Sequence, residues 1–179
     1  AAAGGVDLAV LDIAMPRMTG LQAARELVFG RVKVCGLTRK EDVAAAGAAG
    51  ATNAGIIMVP GTPRMVTAER AGVLAETARA AGLKPVGVFR DEDPRAVADI
   101  AHSLGLAAVQ LHGSEPAANI QEIRRGFAGE IWTAGFDERG GDRLLFDTPG
   151  GGTGQTCDWS AVASHPAKAS AFLAGGVGA

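Results

Sequence analysis

A thiol, a carboxylate and a guanidinium group each stand at or just beyond the end of a short apolar run. Cys35 and Asp147 come at the ends of two such runs, and Arg64 lies in a Pro- and Gly-rich loop after a third. A lone cysteine in such a place is more often an inert core residue. Together, however, the three side chains would supply a base, an acid and an anion clamp. This set suits proton transfers on a small molecule that carries a carboxylate.

Two glycine-rich segments add a predicted phosphate site. Residues 150–155 read GGGTGQ and residues 173–176 read LAGG. Most glycine-rich loops are only turns. Before a helix, however, they expose backbone N–H groups that bind phosphate well. The sequence therefore favours a phosphorylated small-molecule substrate.

The remaining histidines and cysteines give no metal or disulfide pattern. His102, His112 and His165 are scattered, and we interpret His112, at a strand end, as structural or site-lining rather than catalytic. Cys157 receives no role. Two cysteines are too few for a disulfide framework, so free thiols and a cytoplasmic location are expected.

Composition predicts one globular domain. The 179 residues are 47% apolar and 20% charged, with a net charge of −2 and no tyrosine. Nothing in this balance favours nucleic acid as a partner. No apolar run approaches the roughly 18–20 residues that span a bilayer, and no export signal is visible, so a membrane partner is not expected.

Short apolar runs alternate with alanine-rich helical stretches along the whole chain. This alternation predicts right-handed βαβ units and a parallel sheet, and eight strands are the number that closes a barrel. Only about nine residues separate the sixth and seventh strands, so a loop is predicted there instead of a helix. The predicted strands are Val6–Ile13, Val32–Gly36, Ala54–Val59, Pro85–Phe89, Ala107–Leu111, Glu130–Ala134, Arg143–Asp147 and Ala171–Ala174. The predicted helices are Met18–Phe29, Lys40–Ala49, Ala68–Ala81, Pro94–Leu104, Pro116–Gly126 and Trp159–Ser164.

Several helix ends carry recognisable signals. Thr67 and Asp158 are predicted N-caps, and prolines 94 and 116 are predicted at the first helical position. Glycines 82, 105 and 126 are predicted at C-caps.

Six segments in this order resemble phosphoribosylanthranilate isomerase. The resemblance covers residues 31–179 and is closest to the isomerase half of the bifunctional enzyme that also carries indole-glycerol-phosphate synthase. The lead-in at residues 25–30 is similar to the junction in such fusions. The segments are Lys33–Thr38, Val59–Val66, Val86–Phe89, Val109–Gly113, Gly151–Gln155 with Asp158–Ser160, and Leu173–Gly176.

The resemblance implies a (βα)8 TIM-type barrel and an Amadori rearrangement in tryptophan biosynthesis, with neither metal nor organic cofactor. It implies that Cys35 is the general base, Asp147 the general acid, and Arg64 the group that holds the anthranilate carboxylate. Backbone N–H groups of Gly154, Gly175 and Gly176 would bind the phosphate. A homodimer is one alternative for the oligomeric state.

The chain also departs from the family pattern. The family's last βα unit is not found after Ala179, and Thr133 stands where Lys or Arg is expected. Residues 7–20 resemble the phosphoacceptor strand and loop of response-regulator receiver domains, with Asp12 at the phosphoacceptor position. The acidic pair and the later Thr and Lys strands of a receiver do not accompany it. We therefore expect a receiver-like strand and helix in residues 1–30 and an isomerase-like barrel in residues 31–179, with the former replacing the last βα unit and closing the barrel.

Four functions stay open from the sequence. The leading one is the isomerase, followed by a truncated or recombined barrel that is catalytically silent. A phosphorylation-dependent signalling module would need phosphate on Asp12. An isomerase for the aminoaldose of the histidine pathway is disfavoured, because that substrate carries two phosphates and the sequence offers a single phosphate cradle and a thiol base.

Overall fold

Eight parallel strands close into a barrel in the structure, which is a computed structural model describing the backbone of residues 8–12 and all of residues 31–148 and 157–174. Each strand pairs with its neighbours in chain order, and β1 also pairs with β8. The predicted TIM-type barrel is therefore confirmed. The strands are β1 Leu8–Asp12, β2 Arg31–Cys35, β3 Asn53–Ile57, β4 Lys84–Phe89, β5 Ala108–Leu111, β6 Glu130–Ala134, β7 Arg143–Phe146 and β8 Phe172–Leu173.

Strand β1 completes the ring between β2 and β8. Its pairing with β2 runs from Leu8 beside Arg31 to Asp12 beside Cys35, and Leu8 also pairs with Phe172 of β8. The predicted strand at the N-terminus thus closes the barrel. The helix predicted at residues 18–29 lies outside the described residues, and the division into residues 1–30 and 31–179 stays a prediction.

Helices follow most strands. They are α1 Lys40–Ala48, α2 Ala68–Ala80, α3 Pro94–Ser103, α4 Ala117–Gly126 and α5 Trp159–Ser164, with a 3-10 helix at Pro166–Ala169 that the sequence did not predict. Residues 135–142, between β6 and β7, form a loop as predicted.

Helix caps confirm some of the predicted ends. The Thr67 hydroxyl accepts from the Arg70 amide, and Asp158 accepts from two amides at the start of α5. Pro94 is the first residue of α3, where Asp93 is the N-cap. Four predictions were wrong. Pro116 is the N-cap itself, since its ψ of 163° is extended, and Gly126 is the last helical residue, followed by Phe127 as C-cap. The other two C-caps are Ala81 and Leu104, and Gly82 and Gly105 each come one residue later, with positive φ.

An aromatic pair occupies part of the barrel interior. Trp132 packs edge-on against Phe172 with ring centroids 4.4 Å apart, and the Arg143 guanidinium lies over the Phe172 ring. Cys35 is the last residue of β2, and Asp147 directly follows β7, so both stand at the end where the strands finish. Parallel barrels carry their sites at that end.

Candidate active site

Cys35 ends β2 at the rim of the barrel, where a lysine from the same strand contacts its thiol. Lys33 Nζ donates to Cys35 Sγ over 3.3 Å and to Gln110 Oε1 over 2.5 Å. Lys33 is fully buried, and Gln110 is only 2% exposed. A β-carbon on Gly55 would come within 2.7 Å of Lys33 Cε and 2.9 Å of Cys35 Sγ. The glycine on β3 therefore makes room for both side chains.

Arg64 reaches the backbone of the same strand end. Its loop leaves β3, and Nη1 donates to the Cys35 carbonyl oxygen over 3.3 Å. Within this loop, the Thr62 hydroxyl donates to the Val59 carbonyl oxygen over 2.8 Å, which tightens the loop. The structure thus brings the Arg64 guanidinium against the backbone of Cys35.

Asp147 follows the last residue of β7 and is 8% exposed. Its Oδ1 accepts from the Thr148 amide over 2.7 Å, and its Oδ2 lies 3.5 Å from His112 Nε2. Each carboxylate oxygen therefore faces a nitrogen of the protein. Asp147 and Cys35 lie at the same end of the barrel because both stand where parallel strands end.

His112 stands between Asp147 and the buried interior. Its Nδ1 lies 2.7 Å from Gln110 Nε2. Burial, and then the positive charges of Lys33, Arg90 and Arg139, lower the pKa of His112 from 6.5 to about 4. The imidazole is consequently neutral at neutral pH. The structural or site-lining role predicted for His112 agrees with this position beside Asp147.

An ion pair braces the loops around His112. The Arg139 guanidinium donates to the carbonyl oxygens of Gly113, Glu115 and Ala134, and Nη1 lies 3.5 Å from Glu115 Oε2. The Glu115 carboxylate, 3% exposed, also accepts from the Asp91 and Gly113 amides. Loops after β4, β5 and β6 are thereby tied to one another.

Sequence reasoning missed four polar residues of this region. Lys33 and Gln110 lie within the motifs quoted for the resemblance, but the sequence analysis gave neither residue a role. Glu115 and Arg139 read as ordinary surface charges in loops. An available signal was the interruption of buried apolar strands by Lys33 and Gln110, since unpaired charged and amide groups are rarely buried.

The predicted phosphate-binding residues Gly154, Gly175 and Gly176 all lie outside the described residues. Thr133, which stands where a cation was expected, is buried within β6. Cys157 is also buried, and burial raises the pKa of its thiol. Among residues 31–148 and 157–174, no three His, Cys, Asp or Glu side chains form a metal-binding group.

Comparison with known proteins gives these residues a family context. The sequence profile described as N-(5'phosphoribosyl)anthranilate (PRA) isomerase matches residues 32–179. The chain belongs to the phosphoribosylanthranilate isomerase family. Among its relatives, the tryptophan biosynthesis protein TrpCF of Salmonella typhi is 40% identical over 167 residues. That match covers 88% of this chain and 36% of the relative, so the chain spans about a third of that protein's length.

Solved phosphoribosylanthranilate isomerases share the fold. The enzyme from Thermus thermophilus is 31% identical, with a TM-score of 0.70 over 82% of this chain and 76% of that one. Another member, solved in complex with reduced 1-(o-carboxyphenylamino)-1-deoxyribulose 5-phosphate, is 25% identical, with a TM-score of 0.58 over 83% and 89% of the two chains. In the part of our chain that the structure describes, no helix has the length and apolar character needed to cross a membrane.

Proposed function

We propose that this chain is a phosphoribosylanthranilate isomerase of tryptophan biosynthesis. It would convert N-(5-phosphoribosyl)anthranilate into 1-(2-carboxyphenylamino)-1-deoxyribulose 5-phosphate. The observation that carries the proposal is the thiol of Cys35 and the carboxyl of Asp147 on one barrel rim, with Arg64 against the Cys35 backbone. Membership of the family supports it, as does the related structure that holds a reduced form of this product.

The first chemical step opens the sugar ring. Asp147 gives its proton to the ring oxygen as the C1–O bond breaks, and that bond's electron pair stays on the oxygen. The nitrogen lone pair forms a C=N bond to C1, which yields a protonated Schiff base. A general acid lowers such a barrier because the departing alkoxide would otherwise carry a full negative charge. The contact of Asp147 with the Thr148 amide stabilises the carboxylate that remains.

The second step moves the C2 proton. Cys35, as thiolate, removes that proton, and the C–H electron pair forms the C1=C2 bond while the C=N electrons return to nitrogen. The resulting enolamine then tautomerises to the ketone, which completes the aminoketose. Lys33 Nζ, 3.3 Å from the sulfur, stabilises the thiolate by a charge-assisted hydrogen bond. Each acid–base group contributes on the order of 10²–10⁴ in rate.

Substrate anions would be held by separate groups. We assign the anthranilate carboxylate to Arg64, since a planar guanidinium binds a carboxylate with two parallel hydrogen bonds. We assign the phosphate to the backbone amides of Gly154, Gly175 and Gly176, in keeping with the family resemblance. No metal or organic cofactor enters this scheme, because both steps are proton transfers.

The oligomeric state and location complete the proposal. We propose a cytoplasmic enzyme, in keeping with its free thiols, and we keep a homodimer as a prediction that size-exclusion chromatography with light scattering can test. Within the described barrel each strand is paired on both sides, so an unpaired strand edge would not drive dimerisation.

The test is a fluorescence assay for consumption of N-(5-phosphoribosyl)anthranilate by the purified chain. Cys35→Ala and Asp147→Asn are measured beside it, and circular dichroism verifies that both variants fold. Turnover by the parent with a loss of at least about 10²-fold in each variant supports the proposal. A folded parent without turnover would instead identify a catalytically silent barrel, the alternative function.

A further inference from the structure

A line of polar side chains crosses the barrel interior and joins the base to the acid. It runs from Cys35 through Lys33, Gln110 and His112 to Asp147, with the contacts described above. Lys33 lies on β2, whereas Gln110 lies on β5 and His112 directly follows that strand. Elements from different parts of the barrel thus meet in one buried chain of contacts.

The chemistry of Lys33 fixes which atoms donate and which accept along this line of polar contacts. A lysine ammonium group has three donors and no acceptor, so the atom of Gln110 that faces it must be the carbonyl oxygen. The amide nitrogen of Gln110 then faces His112 Nδ1, and this NH2 group can only donate. Nδ1 must therefore be the unprotonated acceptor of the imidazole. A neutral imidazole has a single N–H, which leaves it on Nε2, the atom closest to Asp147.

We propose that Lys33 and Gln110 are positioning residues that fix His112 as its Nε2–H tautomer, so that the imidazole donates toward Asp147 Oδ2. The inference rests on the proposed function for its catalytic consequence. When Asp147 gives its proton to the ring oxygen, negative charge appears on its carboxylate. The Nε2–H group of His112 meets that charge on Oδ2, while the Thr148 amide meets it on Oδ1.

The opposite tautomer would work against the acid. A lone pair on Nε2 would then face the carboxylate, and its partial negative charge would repel the charge that develops there. Because this charge appears only during the reaction, the loss should fall on kcat and leave KM nearly unchanged. Removing one preorganised donor of this kind reduces kcat by about 10²-fold.

Gln110→Glu is the sharpest test because it replaces one buried donor by an acceptor of equal size. One carboxylate oxygen can still accept from Lys33, and the other would demand a proton on His112 Nδ1. Gln121→Glu makes the same chemical change on the exposed side of α4 and is the matched control. Lys33→Met is a second variant, which frees the Gln110 amide to turn over and should populate both tautomers.

The tautomer is measured directly from imidazole nitrogen-15 shifts at pH 7, and His112 is assigned among the three histidines with a His112→Gln sample. We expect the parent and Gln121→Glu to show a protonated Nε2 and an unprotonated Nδ1. Gln110→Glu should show a protonated Nδ1 and a kcat lowered about 10²-fold with KM within about twofold. A parent with Nδ1–H, or a Gln110→Glu enzyme with an unprotonated Nε2 and parental kcat, would overturn the inference.

These readouts separate the inference from the proposed function. The nitrogen shifts need no turnover, so an Nε2–H tautomer in an inactive parent would refute the isomerase and leave the positioning role standing. An active parent with the wrong tautomer would do the reverse. If Gln110→Glu fails to fold, the parent spectrum and Lys33→Met still decide the question.

Discussion

The guanidinium group of Arg64 lies directly over the backbone of Gly36. A β-carbon on residue 36 would stand 2.7 Å from Arg64 Nη1 and 2.8 Å from Arg64 Cδ, and the φ angle of Gly36 is +81°. Two features therefore require glycine after Cys35. Its backbone is in the left-handed conformation, and the Arg64 side chain occupies the space that a β-carbon would take. The position of Arg64, the proposed anion clamp, thus depends on Gly36, the residue next to the proposed base.

Gly36→Ala should raise KM by about tenfold, because the new methyl group displaces a charged donor from the substrate carboxylate and charged hydrogen bonds contribute about 1.5–3 kcal/mol. Gly82→Ala is the matched control. Gly82 has a φ of +75°, and its β-carbon would meet nothing within 4 Å. Both variants should lose about 1–2 kcal/mol of unfolding free energy from the left-handed conformation. Steady-state kinetics and urea unfolding measure the two effects, and an equal KM in both variants would contradict the prediction.

The strand pattern could be predicted because it depends on local composition. Buried parallel strands are continuous apolar runs, and β6 begins and ends at the residues the sequence indicates. Boundaries shifted where the chain leaves the sheet without a strong signal. The third strand, predicted to reach Val59, ends at Ile57, and the last strand shrinks from four residues to Phe172–Leu173.

The site could be predicted only in part, since composition and motif do not reveal pairing. Cys35, Asp147 and Arg64 stand at strand ends or in a loop that leaves one, where parallel barrels place their chemistry. Lys33 gave no such signal. Its burial depends on Gln110, which lies 77 residues away in the sequence and meets it only once the barrel has closed.

The two thiols should differ strongly in reactivity. Burial raises the pKa of Cys157 and removes it from solvent, whereas Cys35 is partly exposed at the rim. At pH 8, iodoacetamide should therefore alkylate Cys35 first, because the thiolate is the nucleophile and must be reached. Mass spectrometry of tryptic peptides follows both sites, and Cys157→Ala should keep the fast phase that Cys35→Ala loses. Fast labelling of Cys157 would refute this ranking.

Arg139→Met should lower the unfolding free energy by on the order of 3–5 kcal/mol, since it leaves the buried Glu115 carboxylate without its cation. The Glu115 side chain is only 2% exposed in this pair. Arg125→Met is the control. Arg125 pairs with Glu122 on the surface of α4, where solvent screens the pair, so a much smaller loss is expected. Urea unfolding compares them, and similar losses in both would show that the loop brace adds no stability.

Asp12→Asn should raise kcat/KM by about twofold to tenfold. The strand register pairs the backbone of Asp12 with that of Cys35, so the variant removes one negative charge from the residue paired with the proposed base, next to which the proposed function needs a thiolate and an anionic substrate. A neighbouring charge of the same sign disfavours both events. The assay is run at low and at 0.5 M salt, because screening should reduce the advantage of the variant. Asp99→Asn, an exposed change on α3, controls for net charge, and a slower Asp12→Asn enzyme would instead indicate that the carboxylate assists the reaction.

The buried His112 should make the fold sensitive to acid. Its pKa falls from 6.5 in the unfolded chain to about 4 in the folded one. Between these pH values the unfolded state binds more protons, so the unfolding free energy decreases as the pH falls through this window. The decrease contributed by His112 is complete below about pH 4 and amounts to about 3 kcal/mol.

Urea unfolding of the parent and of His112→Gln at several pH values between 4 and 7 measures this contribution. Other groups titrate in both proteins, so the difference between the two curves isolates the histidine. Relative to the parent, the variant should gain stability as the pH falls, whereas His102→Gln, which removes an exposed histidine on α3, should follow the parent. Parallel curves for the parent and His112→Gln would mean that the imidazole is protonated as readily in the folded barrel as in water.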